Sequence, residues 1–288
     1  MEPGERFVPG ADGLRLHALE WSREGVPFLL LHGFGNDAHV WDDFAPLVAP
    51  YYRVLALDLR GHGDSERSPD VLRYGHDAVA EDVAAVCDAL GFERLVLVGH
   101  SFGGRAAMRF AGAHPGRLAG LVIVDAGPDL DPRGVLRIRL DTERSDPTFA
   151  SPAEYERALA RAYPLAKPDV LARMARHGLR ARDDGRFERK TDPRFGTAGG
   201  RLSPEELVAR MRAESETLWT ALRATPCPAL VVRGAASDIL SADTADRMVE
   251  EALPQGRLAV VPRAGHSVMI DNPEGFAAAV SEFVLGDA

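Results

Sequence analysis

The chain carries a series of short apolar runs separated by stretches in which apolar positions recur every three to four residues. Phe28–Leu31, Val54–Leu57, Leu95–Val98, Leu121–Val124, Ala229–Val232 and Leu258–Val261 are continuous rather than alternating. Such continuity suits strands covered on both faces, as in a parallel sheet. Leu14–Trp21 alternates and also reads as a strand. Helical patterns lie between several of the runs. Ala78–Leu90 places Val79, Val83, Val86, Cys87 and Leu90 on one stripe of a 3.6-residue period. Phe102–Ala113 follows a strand directly and stops before Pro115. Ser241 can cap a helix through Leu253, and Pro273 can open a last helix through Val284. Strands alternating with helices predict an α/β sheet with right-handed crossovers.

The rhythm breaks between Gly127 and about Ser215, where no strand-like run occurs. The pattern predicts short helices at Arg133–Arg144, Pro152–Tyr163 and Pro168–His177. A loop follows over Thr191–Ser203, with Pro193, Gly196, Gly199 and Gly200. A helix from Pro204 to about Leu222 then returns to the sheet. The expected organisation is a core in two parts, 1–126 and 216–288, with a helical insertion, 127–215, covering the carboxyl end of the strands. Its apolar positions are Leu136, Ile138, Leu140, Phe149, Tyr155, Leu159, Tyr163, Leu171, Met174 and Trp219. Most should hold the helices together, and a minority should line a pocket.

The 288 residues suit one large domain or a core with an insertion. With 45% hydrophobic and 27% charged residues the chain is neither disordered nor fibrous. Its 34 Lys+Arg against 43 Asp+Glu leave a charge of -9, which repels phosphate backbones and speaks against a nucleic-acid partner. The two cysteines, Cys87 and Cys227, form no disulfide framework and read as buried apolar residues of a cytoplasmic protein. The amino-terminal MEPGERFVPGADG has no apolar run of a secretory signal. No stretch approaches the roughly 20 apolar residues of a membrane helix, so no membrane partner is expected. Residues 129–223 carry 19 Lys+Arg against 16 Asp+Glu. That reads as a solvated, salt-bridged surface, with attraction for an anionic substrate as the weaker alternative.

Chemistry concentrates after four strands. Gly99-His100-Ser101-Phe102-Gly103 is a G-x-S-x-G between an apolar run and a helical pattern, the context of a nucleophile elbow. The sharp turn demands small neighbours two before and two after the serine, and it aims the Phe102 N–H at the reacting centre from a helix start. His32-Gly33-Phe34-Gly35 follows another strand and can supply the second oxyanion donor, the Phe34 N–H. His32 reads as a brace for that loop rather than a base. His266, after the last strand, is the expected base that takes the serine proton. Asp238, in the loop after Ala229–Val232, is the expected carboxylate that fixes the histidine tautomer. Asp125, directly after Leu121–Val124, is its rival, while Asp243 and Asp271 are weaker ones. Trp41 could line an acyl pocket or simply pack a helix. No cluster has metal-ligand spacing and no dinucleotide-binding glycine motif occurs, so neither metal nor cofactor is expected.

These segments resemble the α/β-hydrolase fold superfamily, in the branch with a helical cap. The likeness rests on HGFG at 32–35, DLRGHGDS at 58–65, GHSFGG at 99–104, the loop at 233–238 and GH at 265–266. It implies a mostly parallel central sheet flanked by helices, with an inserted helical cap. In the family the 58–65 segment orders the loop beneath the active site. Cap-bearing epoxide hydrolases and haloalkane dehalogenases look similar but carry aspartate at the elbow, where this chain has Ser101. The expected activity is hydrolysis of a small carboxylic ester or lactone through an acyl-enzyme on Ser101, His266 and Asp238, with Phe34 and Phe102 as oxyanion donors and Trp41 and Trp219 as pocket candidates. Two alternatives share the scaffold. One is a carbon–carbon bond hydrolase of a diketone or ring-cleavage product, and the other is a non-enzymatic ligand receptor, against which an intact triad speaks.

Overall fold

A computed structural model describes residues 1–144, 148–195 and 203–286. Its first six strands are β1 (Gly4–Pro9), β2 (Arg15–Glu20), β3 (Val26–Leu31), β4 (Tyr52–Leu57), β5 (Leu95–His100) and β6 (Leu118–Val124). Then come β7 (Thr148–Phe149), β8 (Leu179–Ala181), β9 (Phe187–Arg189), β10 (Ala229–Gly234) and β11 (Gly256–Val261). Eight of them form one sheet in the order β1-β2-β4-β3-β5-β6-β10-β11. From β4 to β11 the pairs are parallel, and β1–β2 and β2–β4 are antiparallel.

The continuous apolar runs have a direct explanation. Leu29, Leu31, Leu55, Leu57, Leu95, Leu97, Leu121 and Ile123 point to one face of the sheet and join a buried cluster there. Their neighbours Phe28, Leu30, Val54, Ala56, Val96, Val98, Val122 and Val124 point to the other face and join a second cluster. Each such side chain, taken fully out of water, is worth about 1.5–3 kcal/mol, and a polar residue at any of these positions would be buried. Helices α1 (His76–Leu90) and α2 (Phe102–Ala113) cover the first face.

Between β6 and β10 the chain leaves the sheet. It forms α3 (Pro132–Arg144), α4 (Pro152–Ala162), α5 (Pro168–His177) and α6 (Pro204–Arg223). After β10 come α7 (Ala242–Arg247), capped by Ser241 as expected, and α8 (Pro273–Leu285). The helix after Ser241 widens into a π-type turn at Met248–Ala252.

Two features depart from the sequence expectations. The excursion is not free of strands: β7, β9 and β8 form a small antiparallel sheet, whose members are too short for any periodicity to register. Helix α6 follows the expected span back to the sheet, and Leu218, Trp219 and Leu222 pack into the core cluster. Its carboxyl half therefore packs with the core rather than with the excursion. It lies close against α2, where a Cβ on Gly112 would meet that of Ala221 at 2.7 Å. Finally, β1 is an edge strand in which only Val8 is buried, so no apolar pattern marks it. Pairing with β2 and the ion pair from Arg6 to buried Glu20 (3.0 Å) hold it. No helix among the described residues is long and apolar enough to cross a membrane.

Candidate active site

Strand β5 ends at His100 and α2 begins at Phe102, so a single residue, Ser101, makes the whole turn. Its backbone sits at φ 52°, ψ -114°, a region that costs a non-glycine residue about 1–3 kcal/mol. The turn is held by the Ser101 N–H to the Val124 carbonyl (2.9 Å) and by the Arg105 N–H to the Ser101 carbonyl (3.0 Å). The flanking glycines are required by close approach. A Cβ at Gly99 would collide with the Gly103 carbonyl, and one at Gly103 would meet the His32 and Leu31 carbonyls at 2.5 and 2.8 Å.

His266 lies on the loop after β11, and its Nε2 is 2.9 Å from Ser101 Oγ. Its Nδ1 is 2.8 Å from Asp125 Oδ2. The carboxylate against the histidine is thus Asp125 and not Asp238. Asp125 directly follows β6, is fully buried, and itself takes a left-handed backbone at φ 46°. Its N–H donates to the Val232 carbonyl at 2.7 Å. Its carboxylate accepts the Gly234 N–H on Oδ1 (3.1 Å) and the Ser237 hydroxyl on Oδ2 (2.5 Å). Two donors besides histidine satisfy a buried charge that would otherwise be costly.

Asp238 faces the other way. Its side chain is 45% exposed and pairs with Arg137 of α3, at 2.6 and 2.9 Å. That guanidinium holds the Asp238 carboxyl below its ordinary range. The expected acid loop therefore does not supply the acid. It supplies two donors that hold it.

Further side chains fix the frame. Arg105 of α2 is buried and donates to the Gly127 and Pro128 carbonyls (2.7 and 3.3 Å), just beyond Asp125. Its other end pairs with Glu214 of α6 at 3.2 Å. Burial pushes the Glu214 carboxyl up, but His76 and Arg105 outweigh it and hold it down to about 2. His100 Nε2 donates to the His266 carbonyl at 3.0 Å. Burial, then the neighbouring His266, lowers the His100 pKa well below the usual histidine value, so the ring is neutral, and its Nδ1 is buried without a partner. His32 braces its loop: Nδ1 donates to the Gly33 carbonyl (2.7 Å) and Nε2 accepts the Leu59 N–H (3.0 Å).

The loop at 33–36 lies against the elbow. A Cβ on Gly33 would meet His100 Nδ1 at 2.7 Å and Ser101 Cβ at 3.2 Å. The Asn36 N–H closes a turn on the Gly33 carbonyl (3.3 Å) around Phe34, with Gly35 at φ 78°. Phe102 opens α2, where the first N–H groups lack intrahelical acceptors.

The two tryptophans offered as pocket residues both lie in the buried clusters. Trp41 is fully buried, with its ring 5.8 Å from Phe276 in the core. Trp219 donates its Nε1 to Asp129 (3.1 Å) and lies under the Arg247 guanidinium. Among the described residues, His17, Asp58 and Asp64 bring potential metal-ligand atoms within 4.8 Å. Their bonds are already filled. Asp58 accepts from His17 Nδ1 (2.8 Å) and from the Ala38 and Asp64 N–H groups (2.7 and 2.9 Å), while Lys190 Nζ donates to Asp64 (2.5 Å). The 58–65 segment thus ties the 33–38 loop to the sheet.

Known proteins agree with this fold. A solved α/β hydrolase from Novosphingobium aromaticivorans superposes with a TM-score of 0.80 at 31% identity, covering 98% of this chain and 97% of that one. The N-formylmaleamate deformylase of Pseudomonas putida is 30% identical over 290 residues, 96% of this chain and 97% of that protein. An esterase of Mycobacterium tuberculosis is 28% identical over 293 residues, 98% of this chain and 88% of that protein. Residues 28–279 match the Alpha/beta hydrolase family, and the chain belongs to it.

Proposed function

We propose that this chain is a serine hydrolase that cleaves small carboxylic esters, lactones included, through an acyl-enzyme on Ser101, His266 and Asp125. The observation that carries the reading is the unbroken line from Ser101 Oγ through His266 to the buried Asp125 carboxylate, at 2.9 and 2.8 Å. Ser101 Oγ attacks the carbonyl carbon while His266 Nε2 takes its proton. The negative oxygen of the tetrahedral intermediate lies against the Phe34 and Phe102 N–H groups. His266 returns the proton to the leaving oxygen, and the alcohol departs. Water then attacks the acyl-serine, His266 takes its proton and gives it back to Ser101 Oγ, and the free acid leaves. Asp125 stays ionised and keeps the His266 proton on Nδ1.

Esters are favoured over amides because an alkoxide leaves more easily than an amine anion. The deformylase at 30% identity favours a second reading, removal of an acyl group from nitrogen by the same residues. The segment 127–215 acts as the cap. Its support is a set of contacts with loops at the carboxyl ends of the strands. Tyr163 reaches Asn36 (3.3 Å), the Asp192 N–H reaches the Gly61 carbonyl (2.7 Å), Lys190 reaches Asp64, and Arg137 reaches Asp238.

Ser101→Ala removes the attacking oxygen. It should lower kcat for p-nitrophenyl esters by about three or more orders of magnitude with the fold intact. A fluorophosphonate should label Ser101, as read by mass spectrometry. Label on another residue, or esterase activity retained in the variant, contradicts the assignment.

A further inference from the structure

The proposed oxyanion donors carry bulky aromatic side chains, and both meet one residue of the excursion. The Phe195 ring lies 5.1 Å from Phe34 and 5.2 Å from Phe102, the latter edge to face. It also lies 4.8 Å from His62 and 5.0 Å from Tyr74. Four rings from two loops and a helix start thus converge on a side chain that the hydrophobic pattern of the insertion does not single out.

Phe195 is held in place by the residues just before it. The Phe195 N–H donates to the Asp192 carbonyl (2.9 Å), and the Asp192 N–H donates to Gly61. The buried Asp192 carboxylate accepts the Tyr74 hydroxyl (2.5 Å) and pairs with Arg194 (2.7 Å), whose Nη2 also donates to the Ser68 carbonyl (2.9 Å). The ring is therefore pinned at its base by polar contacts to the 58–74 segment.

The side of the site that Phe195 covers follows from the chemistry. His266 must hand a proton to the leaving oxygen, so the leaving group lies toward His266. The described ring and hydrogen-bond partners of His266 are Ser101, Asp125 and His100. None of these is a ring partner of Phe195, whose partners belong to the oxyanion-loop side. On that placement the acyl group, which points away from both the leaving oxygen and the oxyanion, is left the side walled by the Phe34, Phe102 and Phe195 rings.

We infer that Phe195 is a specificity-determining residue that closes the acyl side of the site and limits acyl size. This rests on the serine-hydrolase reading. An apolar, ring-walled end accepts short or compact apolar acyl groups. It disfavours an anionic group at the acyl terminus, which would lose its water there.

The test uses the full-length chain and two ester series. One varies the acyl chain from acetate to octanoate on p-nitrophenol, and the other varies the alcohol on a fixed acetyl group. Phe195→Ala should raise the kcat/KM ratio of the longer acyl esters to acetate by about 10-fold or more, the scale of methylene-sized changes in an apolar pocket. Phe195→Trp should move the same ratio in the opposite direction, a result that general loosening of the fold cannot produce. If the alanine variant fails to fold, Phe195→Leu takes its place beside the tryptophan variant. Ratios unchanged in the folded variants, or a shift confined to the alcohol series, overturn the inference. Ser101→Ala run in parallel separates the two readings. Turnover retained there sinks the serine mechanism. Turnover lost there, with acyl preference unmoved by Phe195 variants, sinks the acyl roof alone.

Discussion

Two neighbouring strand ends offer an aspartate to the same histidine, and they are treated in opposite ways. β6 and β10 are paired in parallel, with Val124 opposite Val232. After β6 the chain turns at once, with Asp125 at φ 46°, and the carboxylate is driven inward to zero exposure. β10 itself runs on to Gly234, and the loop after it carries Ser237 and Asp238 before it bends into the α7 cap. There the inward position goes to Ser237 and the outward one to Asp238, next to Arg137. One residue of register in a loop decides which of two consecutive side chains faces the site. The comparison teaches that the acid position belongs to a cluster of strand ends rather than to one loop. Whichever end turns inward supplies the carboxylate, and its neighbour supplies the donors.

The sharpest way to break this comparison is Asp125→Asn. An amide in place of the carboxylate can no longer favour the productive His266 tautomer or stabilise the imidazolium. The expected loss in kcat is about 10⁴-fold, with stability changed far less. Activity near the wild-type level, measured on p-nitrophenyl acetate in a folded variant, would return the acid to the β10 loop.

Most of the fold was legible because burial on both faces leaves no choice. Five of the apolar runs match β3, β4, β5, β6 and β10 within a few residues, since any polar residue in a central strand would break the pattern, while the sixth matches β11, an edge strand in which only Val261 is buried. Ser101 and His266 were legible too, because the elbow needs small residues at fixed spacing and the base needs a loop after the last strand. Asp125 and Asp238 could not be separated, because both follow a strand end and nothing in composition reports which way a loop residue points. The signal present for Asp125 was its immediate adjacency to a fully apolar run, which leaves the side chain little path to solvent. Edge strand β1 and the β7–β9–β8 sheet left no pattern, because a mostly exposed or two- to three-residue strand needs none. Phe195 carries no sequence signal for a related reason. It sits in a loop, where no periodicity marks a residue as inward.

Ser237→Ala sharpens the comparison by removing one of the two donors that the β10 loop lends to Asp125. The remaining partners, the Gly234 N–H and His266 Nδ1, keep the carboxylate placed. Ser237 Oγ also accepts the Ile239 and Leu240 N–H groups at 3.1 and 3.2 Å, so the variant disturbs the turn as well. A lost hydrogen bond to a charged group is worth about 1.5–3 kcal/mol. We expect kcat to fall by about 10-fold, with KM little changed. Ser237→Thr, which keeps the hydroxyl, should recover most of it. Equal losses in the alanine and threonine variants would show that Ser237 matters through packing rather than through its bond to Asp125.

The smallest expected effect belongs to Asp238→Asn, and its smallness is the point. The Asp238–Arg137 pair is about half exposed on both sides, and such pairs contribute about 0–1 kcal/mol. With Asp125 against His266, kcat/KM should change by no more than about 2-fold, within the range of an ordinary surface substitution. The pH dependence has a definite sign. Arg137 depresses the folded-state pKa of Asp238, so the pair stabilises the fold above the unfolded carboxyl value of about 4 and loses that contribution as pH falls through the folded value. Urea midpoints of wild type and variant should differ slightly at neutral pH and converge in acid. A kcat loss of orders of magnitude in Asp238→Asn, alongside a mild one in Asp125→Asn, would reverse the assignment of the two strand ends and return the catalytic carboxylate to the loop after β10.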